Sequence, residues 1–557
     1  MRTGAGRSWL PLAAAILALL LAFAMSPAGA AGAADAAAVS RGIGGLLSNS
    51  ADGKIGGEPI VLEPVRRIYA ALAERPIWSF DPAAEAAGRL LLEALAAAPQ
   101  QGLGTDELHL SQLNAPDANP AAAVLAQRDV LLTDAFIRYA SRLRGGAVPV
   151  SALGRDWGIV GNAFDPGAAL LAAIRGGRLA DLLHSLPPAD PGYGALIGAL
   201  QRYRAIVARG GWPHVFGAGE IKLDQADPRL ADLRRRLTLE QDLAPSAAGL
   251  DVEALRAAVR RFQGRHGLEP DGRVGVRTLA ELNVTAEQRV AQILANLERW
   301  RHLPHDRPAR HIAVNVADAS LDVVDSGRSL LQMRVIVGDR SHPTPSLAAT
   351  IAAVTFNPPW NIPPSIAVKE MLPKLRRNPD YLADSNIVIR GREGDDPSGR
   401  QIDWRTVTSK NFPFRLQQLP GPKNSLGGIK FEMPNRFDVY LHDTPTKALF
   451  ERSRRGFSHG CVRLQHAADL AVTLLADQST WNAETIAAAL ADGTTRQVPL
   501  AQPIPVYLLY WTAFVDAEGR TNFRHDIYGR DPPIEAMLGG QNIAPAPLPQ
   551  SVGCPVS

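Results

Sequence analysis

The hydrophobic pattern changes its period near residue 305, and this change limits the folds open to the chain. Before that point, apolar residues recur at helical spacing, as in Val65, Ile68, Tyr69 and Leu72. After it, apolar and polar residues alternate along 311–316, as expected for a β-strand. The pattern predicts an α+β multidomain protein, with a helical scaffold domain over 59–240 and a mostly β domain over 305–500.

Length and composition exclude several classes of protein. The chain has 557 residues, enough for roughly two to four domains. Hydrophobic residues make up 46% and charged residues 20%, which excludes a disordered, collagen-like or polytopic membrane protein. The net charge of +4 comes without a block of Lys and Arg, so we expect no nucleic-acid partner. Two cysteines exclude a disulfide-rich scaffold.

The first thirty residues have the pattern of an export signal. Arg2 and Arg7 precede an apolar run from Leu10 to Ala24, and small residues suited to cleavage follow at 28–30. We therefore expect a signal peptide over 1–30, a periplasmic protein, and membrane attachment only if the leader is retained. The Ala-, Gly- and Ser-rich residues 31–58 are expected to form a flexible stem.

A short helical module is predicted over 245–288. Asp251 is placed to cap a helix whose apolar residues share one face, and Asp271-Gly272 marks a turn before a second helix. The run Val259-Arg260-Arg261-Phe262-Gln263 with His266-Gly267-Leu268 resembles the small peptidoglycan-binding module of cell-wall enzymes. An ordinary helical hairpin is the alternative, because each feature is common when taken alone.

The β region is expected to contain a long insertion. A hairpin is predicted from 311 to 337, with its turn at 325–327. Charged and Gly/Pro-rich sequence then interrupts the β pattern over 370–425, a length suited to a lid. Residues 501–557 are predicted to form C-terminal strands and a tail.

Two short segments carry the candidate chemistry. Tyr440 and His442 alternate with apolar residues, so on a strand they share a face. After fifteen intervening residues comes Ser458-His459-Gly460-Cys461-Val462-Arg463. The stretch 447–455 carries four cationic residues, and nearby positive charge lowers a thiol pKa, as an attacking cysteine requires. Gly460 lets a substrate carbonyl approach the backbone.

The residues alone leave three roles open for Cys461. It is a catalytic thiol, a structural cysteine or disulfide partner of Cys554, or a zinc ligand. The candidate zinc ligands are His442, His459, Cys461 and His466. No CxxC or HExxH spacing supports zinc.

The spacing of His442 and Ser458-His459-Gly460-Cys461 resembles the signature of the L,D-transpeptidases, whose catalytic domain is of the YkuD type. The segments 356–363, 427–431 and 440–445 extend the likeness. The resemblance implies a helical scaffold, a peptidoglycan-binding module and a mostly β catalytic sandwich with a lid. Arg463 stands where some members have Asn, so no role of an Asn side chain carries over.

The resemblance also implies a mechanism and a substrate. Cys461 attacks the third residue of a tetrapeptide stem, D-alanine leaves, and His442 moves the protons of a reaction that ends in a 3→3 cross-link. It implies peptidoglycan stem peptides and glycan as partners, acylation by carbapenems, and no metal or other cofactor. It further implies that Ser458, His459 and Gly460 form the oxyanion site or support it. The expected substrate-binding residues are Tyr440, Asn357, Trp360 and Arg463.

Two other functions stay open on sequence grounds. A hydrolase using the same Cys461 and His442 would be an L,D-carboxypeptidase or would cut a cross-link or lipoprotein attachment, since only the acceptor differs. A non-catalytic wall-binding protein is the other alternative, and the intact Cys/His pair argues against it.

Overall fold

The computed structural model describes residues 36–115, 121–161, 163–245, 251–391 and 397–539. These residues fall into two compact units, one within Met1–Arg89 and Ser111–Asp134 and the other within Leu90–Leu110 and Ala135–Ser557. The predicted signal peptide, residues 31–35 of the predicted stem, and Cys554 lie outside the described residues. Within the described part, no helix has both the length and the apolar character needed to cross a bilayer.

Helices dominate the chain up to residue 301. The α-helices, in chain order, are α1 (Ala36–Asn49), α2 (Leu62–Ala71), α3 (Pro82–Ala96), α4 (Leu110–Leu113), α5 (Ala122–Gly145), α6 (Pro166–Gly176), α7 (Leu179–Ser185), α8 (Pro191–Ala208), α9 (Leu230–Leu239), α10 (Val252–Arg265), α11 (Val276–Leu282) and α12 (Ala286–Arg301). Short strands also occur here: β1 (Lys54–Ile55), β2 (Glu58–Pro59) and β3 (Trp157–Gly158). The helical scaffold predicted from the 3.6-residue period is confirmed.

The stem prediction is wrong for residues 36–58. Val39, Ile43 and Leu47 are buried at a spacing of four residues, so α1 presents an apolar stripe and is ordered by packing. The strands β1 and β2 then pair as an antiparallel hairpin. Small residues suggested a linker, but Ala favours helix, and the apolar stripe lies among the Ala and Gly residues.

Buried Asp129 organises the first unit. Its carboxylate accepts hydrogen bonds from the Tyr69 hydroxyl at 2.7 Å, the Ile77 amide at 2.9 Å and the Trp78 amide at 3.0 Å. Burial raises the pKa of this carboxyl group, and the amide hydrogen bonds oppose that rise. The side chain thus joins α5 to α2 and to the segment that follows α2.

The short helical module predicted over 245–288 is larger than expected. Its buried core takes side chains from α9 as well as from α10 and α11, including Leu233, Leu237, Leu255 and Phe262. The predicted boundary at 245 therefore cuts through this core, because the α9 pattern reads as one more scaffold helix. Asp251 caps α10 as predicted, accepting hydrogen bonds from the amides of residues 253 and 254.

A buried ionic network fastens the module to the rest of the second unit. The Glu240 carboxylate accepts hydrogen bonds from the Tyr203 hydroxyl of α8 at 2.5 Å and from Arg265 of α10 at 2.9 Å, and it also pairs with Arg236. Arg265 donates in turn to the Thr521 carbonyl at 2.9 Å. The two guanidinium groups hold the pKa of Glu240 well below its usual value despite the burial that opposes them.

The β region forms one large sheet. Its strands, with those of the smaller sheets, are β4 (Arg310–Asn315), β5 (Ser320–Asp325), β6 (Arg328–Gly338), β7 (Ser346–Phe356), β8 (Trp360–Asn361), β9 (Ile387–Arg390), β10 (Arg415–Gln418), β11 (Ile429–Glu432), β12 (Leu441–His442), β13 (Gly456–Ser458), β14 (Val462–Leu464), β15 (Arg496–Leu509), β16 (Ala513–Val515) and β17 (Thr521–Phe523). The large sheet has the order β11-β12-β14-β6-β5-β4-β15-β7-β3, with β13 also paired to β6. The predicted hairpin is confirmed by the antiparallel β4–β5 and β5–β6 pairs.

The boundary predicted at residue 500 is wrong. The strand β15 spans it and pairs in parallel with β4 and antiparallel with β7, inside the sheet. Prolines occur at 499, 503 and 505, and β15 and β7 shift register between Pro499 and Ile504 and pair again beyond it. The strand β15 is therefore part of the β domain, whereas β16 and β17 pair with each other in a separate two-stranded sheet. The remaining helices are α13 (Pro364–Ile366), α14 (Leu372–Leu375), α15 (Tyr381–Asp384), α16 (Ala467–Leu475), α17 (Ala483–Ala491) and α18 (Asp531–Met537).

The predicted lid is a folded subdomain with its own core. The strands β8, β10 and β9 form a three-stranded sheet, and a π-helix over Ala367–Met371 lies between α13 and α14. Leu372, Leu375, Trp404 and Leu416 are among the residues buried in the core. We call residues 360–418 the lid subdomain; it begins before the predicted limit of 370 because β8 supplies one strand.

We predict that Glu240→Ala destabilises the second unit by about 3–5 kcal/mol, because it leaves two buried guanidinium groups without their shared carboxylate. Chemical denaturation followed by circular dichroism measures this change. Glu220→Ala is the matched control, since Glu220 pairs with Arg273 at the surface, and it should leave the unfolding midpoint unchanged. A Glu240→Ala midpoint equal to that of the wild type would contradict the role given to the network.

Candidate active site

The pairing of β12 with β14 gathers the candidate residues on one face of the sheet. These strands are parallel, with His442 opposite Arg463, and the Val462 amide donates to the Tyr440 carbonyl at 3.0 Å. The register places Tyr440 opposite Cys461. Because side chains alternate along a strand, these four residues share one face. Leu441 and Val462, fully buried in the main core, point the other way.

His442 is held as a neutral imidazole with a defined tautomer. Its Nδ1 lies 2.5 Å from the Asp443 carbonyl oxygen, which can only accept, so the neutral ring carries its proton on Nδ1. Burial, and then the charge of Arg463, lower the pKa of His442 to about 4. The side chain is therefore a proton acceptor at neutral pH.

Cys461 is held as a thiol. Burial raises its pKa, against hydrogen bonds from the backbone amide and hydroxyl of Tyr440 and the charges of Arg463 and Lys430. The prediction that the cationic stretch 447–455 activates the thiol is wrong. Two of its residues are engaged elsewhere: Lys447 with Asp443 at 2.6 Å, and Arg455 with the Asp318 carbonyl at 2.7 Å. The cations that act on the sulfur come from the neighbouring strands.

The loop between β13 and β14 is braced from within. The buried Ser458 hydroxyl donates to the Cys461 carbonyl at 2.5 Å and accepts from the Gly460 amide at 3.1 Å. Gly460 has φ +109°, a conformation that favours glycine, and its carbonyl accepts from the Thr344 hydroxyl at 2.8 Å. Ser458 thus orients the loop.

The oxyanion prediction needs one correction. The Gly460 amide is committed to Ser458, so it does not face a substrate in this conformation. Among the described residues, no acceptor is found for the Cys461 amide. That amide is the available donor next to the sulfur.

The lid subdomain contacts the site at two points. The Trp360 and Tyr440 side chains are hydrogen-bonded, which connects β8 to the residue that contacts the thiol. Glu370, on the π-helix, places its Oε1 2.5 Å from His459 Nε2. The His459 ring also lies 4.6 Å, centroid to centroid, from His342. His459 therefore links the lid subdomain to the loop.

The two remaining groove candidates have different environments. Arg463 is half-buried, and its Nε has no hydrogen-bond partner among the described residues. The prediction that Asn357 binds substrate needs correction, because the residue is buried. Its amide nitrogen donates to the Ala489 carbonyl at 2.8 Å and the Thr494 carbonyl at 3.3 Å. Its side chain secures the loop after β7 and does not line a groove.

The zinc candidates are not brought together. His442 Nδ1 faces the Asp443 carbonyl, and His459 Nε2 faces the Glu370 carboxylate. His466 Nδ1 lies 3.9 Å from the Asp469 carboxylate. In the part of the chain that the structure describes, no group of three or more His, Cys, Asp or Glu residues is arranged to hold a metal ion.

Sequence reasoning missed three residues next to the site. Thr344 donates a hydrogen bond to the Gly460 carbonyl, and Lys430 lies opposite His442 in the β11–β12 pair, with its Nζ 4.7 Å from the Tyr440 ring centroid. Alternation within 427–431 could have placed Lys430 on the site face. Glu370 had no such signal, because its position depends on the fold of the lid subdomain.

The arrangement combines a half-buried thiol, a neutral imidazole acceptor two residues along the neighbouring strand, and a backbone amide beside the sulfur. Such a set can carry out acyl transfer through a thioester, with the proton passing from sulfur to imidazole as the bond forms.

Three stretches of the chain match described families. Residues 309–499 match YkuD, the L,D-transpeptidase catalytic domain, and residues 63–200 match a scaffold domain. Residues 227–282 match a family described as "Putative peptidoglycan binding domain", a match that includes α9. A Haemophilus influenzae protein named "Putative L,D-transpeptidase" is 36% identical over 246 residues, 44% of this chain. The match spans about half of that relative, 49% of its length.

Solved L,D-transpeptidases are also similar. One from Xylanimonas cellulosilytica shares 15% identity, covering 53% of this chain and 98% of that one, with a TM-score of 0.18. L,D-transpeptidase 3 from Mycobacterium tuberculosis shares 12% identity, covering 37% and 63%, also with a TM-score of 0.18. At such TM-scores the assignment rests on the sequence matches. The chain therefore carries a YkuD L,D-transpeptidase catalytic domain, joined to a scaffold domain and a peptidoglycan-binding domain.

Proposed function

We propose that this protein is an exported, cell-wall-associated peptidoglycan L,D-transpeptidase that works through a Cys461 thioester. The observation that carries the proposal is the shared face of β12 and β14, where Cys461 lies opposite Tyr440 and His442 follows two residues further along the paired strand. The peptidoglycan-binding domain supports the same substrate, because it would hold the enzyme on the polymer and raise the local concentration of stem peptides. The leader pattern at 1–30 supports a periplasmic location.

In the first half-reaction, Cys461 Sγ attacks the carbonyl carbon of the third residue of a tetrapeptide stem. His442 Nε2 takes the thiol proton as the C–S bond forms, which suits a neutral pair. The Cys461 amide donates to the oxygen that becomes negative. When the C–N bond breaks, His442 returns the proton to the departing D-alanine amine and a thioester remains.

In the second half-reaction, the side-chain amine of a third residue on a neighbouring stem attacks the thioester. His442 accepts a proton from this amine and passes it to the leaving sulfur, which restores the thiol and gives a 3→3 cross-link. The Tyr440 hydroxyl hydrogen-bonds the sulfur, and the Trp360 side chain hydrogen-bonds Tyr440. The half-buried Arg463 is the cation that we expect to bind a substrate carboxylate. The same thiol is the expected site of carbapenem acylation.

The test is product analysis of the purified full-length protein with a disaccharide-tetrapeptide and a second stem as amine acceptor. We predict a thioester adduct by intact mass and a cross-linked dimer by chromatography, both lost in Cys461→Ala. Cys554→Ala is the matched control and should keep both. Tripeptide without dimer would support the hydrolase alternative, and turnover by Cys461→Ala, or no adduct on the folded wild type, would overturn the thioester mechanism.

A second prediction concerns the lid subdomain. We expect Glu370→Gln to weaken the contact with His459, admit water to the thioester, and raise the ratio of hydrolysed to cross-linked product by about three- to tenfold. Glu451→Gln is the control, because Glu451 pairs with the exposed Arg334. An unchanged product ratio in Glu370→Gln would show that this contact does not shield the thioester.

A further inference from the structure

A second cavity, separate from the cysteine site, lies between the peptidoglycan-binding module and the chain leading to the catalytic loop. Its volume is about 330 Å³. The module supplies most of the lining, including Glu269, Arg273 and Arg277, and the β domain supplies Ser453 and Arg454. A cavity of this size accommodates a small ligand, and its walls come from two domains that the sequence matches describe separately.

Some of the charges in this cavity are already neutralised. Arg273 makes a two-point contact with Glu220, at 2.8 and 2.9 Å. The Asp271 carboxylate accepts hydrogen bonds from the Gln263 side chain and from the Arg273 amide, each at 2.8 Å. These groups form a fixed polar wall.

Two guanidinium groups remain. Among the described residues, neither Arg277 nor Arg454 has a hydrogen bond or ion pair with a protein group, although both line the cavity. Burial, and then the charge of Arg277, lower the pKa of Arg454, as expected for two like charges that face each other. An anion between them would relieve this repulsion.

The chemistry of the wall selects the kind of anion. Planar guanidinium groups bind carboxylates through paired hydrogen bonds. Glu269, an exposed carboxylate in the same lining, is placed to take a positive group of the same ligand. A ligand that carries both carboxylates and an amine fits this set of charges, and peptides with free carboxylates and an amino side chain have that character.

The cavity is also close to the catalytic loop along the chain. Arg454 precedes Cys461 by seven residues, so fully extended backbone would place them at most about 24 Å apart. The intervening strand β13 is paired with β6, which fixes the path of this segment. A peptide bound in the cavity would thus lie near the catalytic loop, within the same polymer on which Cys461 would act.

We propose that this cavity is a second subsite for a peptidoglycan stem peptide, in which Arg277 and Arg454 bind a carboxylate of a stem other than the one that reacts. The proposal rests on the proposed function for the identity of the polymer. The binding site would lie at the junction of the module and the β domain, and neither of the two would form it alone.

The test is calorimetric titration of the full-length protein with a soluble disaccharide-tetrapeptide. Cys461 is first acylated with a carbapenem, so that the catalytic groove is filled. If no adduct forms, the proposed function has failed, and Cys461→Ala protein is titrated instead so that the subsite is still tested. The variants are Arg277→Ala with Arg454→Ala as a double substitution, and Arg235→Ala, an exposed arginine of α9 outside the cavity, as the matched control.

We expect the double variant to bind the peptide at least about tenfold more weakly, with an unchanged unfolding midpoint, while Arg235→Ala binds as the wild type does. A probe whose carboxylates are amidated should bind the wild type as weakly as the free-acid probe binds the double variant. Wild-type affinity in the double variant, equal binding of the amidated probe, or an equal loss in Arg235→Ala would each overturn the proposal.

Discussion

The parallel pairing of β12 with β14 is the constraint on which the rest of the site depends. Both strands are very short, and each is held by a longer neighbour, β11 on one side and β6 on the other. Leu441 and Val462 bury their side chains in the main core and so fix which face points outward. A slip of one residue would turn Cys461 into the core, because side chains alternate along a strand. The geometry of the candidate site thus follows from core packing.

Burial determines the charge state of the site. It raises the pKa of Cys461 and lowers the pKa of His442 to about 4, so the two act in the same direction, toward a neutral pair. Arg463 and Lys430 stabilise a thiolate, but they do not offset the desolvation of the sulfur. In the proposed mechanism, the thiolate therefore forms only as the substrate is attacked. A thiol that is neutral at rest is also less readily oxidised than a thiolate.

Local patterns predicted the elements well, and long-range contacts account for what they missed. The alternation around His442, the spacing to Cys461, and the cap at Asp251 each depend on a few neighbouring residues, and each appears in the structure as expected. The charges of 447–455 could not be assigned from sequence, since Arg455 is engaged by a carbonyl more than a hundred residues away. The prediction of a substrate-binding role for Asn357 failed for the same reason, because its hydrogen-bond partners lie beyond residue 480. The neutral state of Cys461 and His442 results from burial, which cannot be inferred from the spacing of residues in the sequence.

The protonation state of His442 is the most direct test of this account. Nitrogen NMR of the ¹⁵N-histidine-labelled protein, with the His442 signals assigned by their loss in His442→Gln, would follow the imidazole as the pH is lowered. The account predicts a neutral ring protonated on Nδ1 at pH 7 and a protonation midpoint near 4. An imidazolium at pH 7, or a midpoint at or above the ordinary histidine value of about 6.5, would contradict the neutral resting state given to His442.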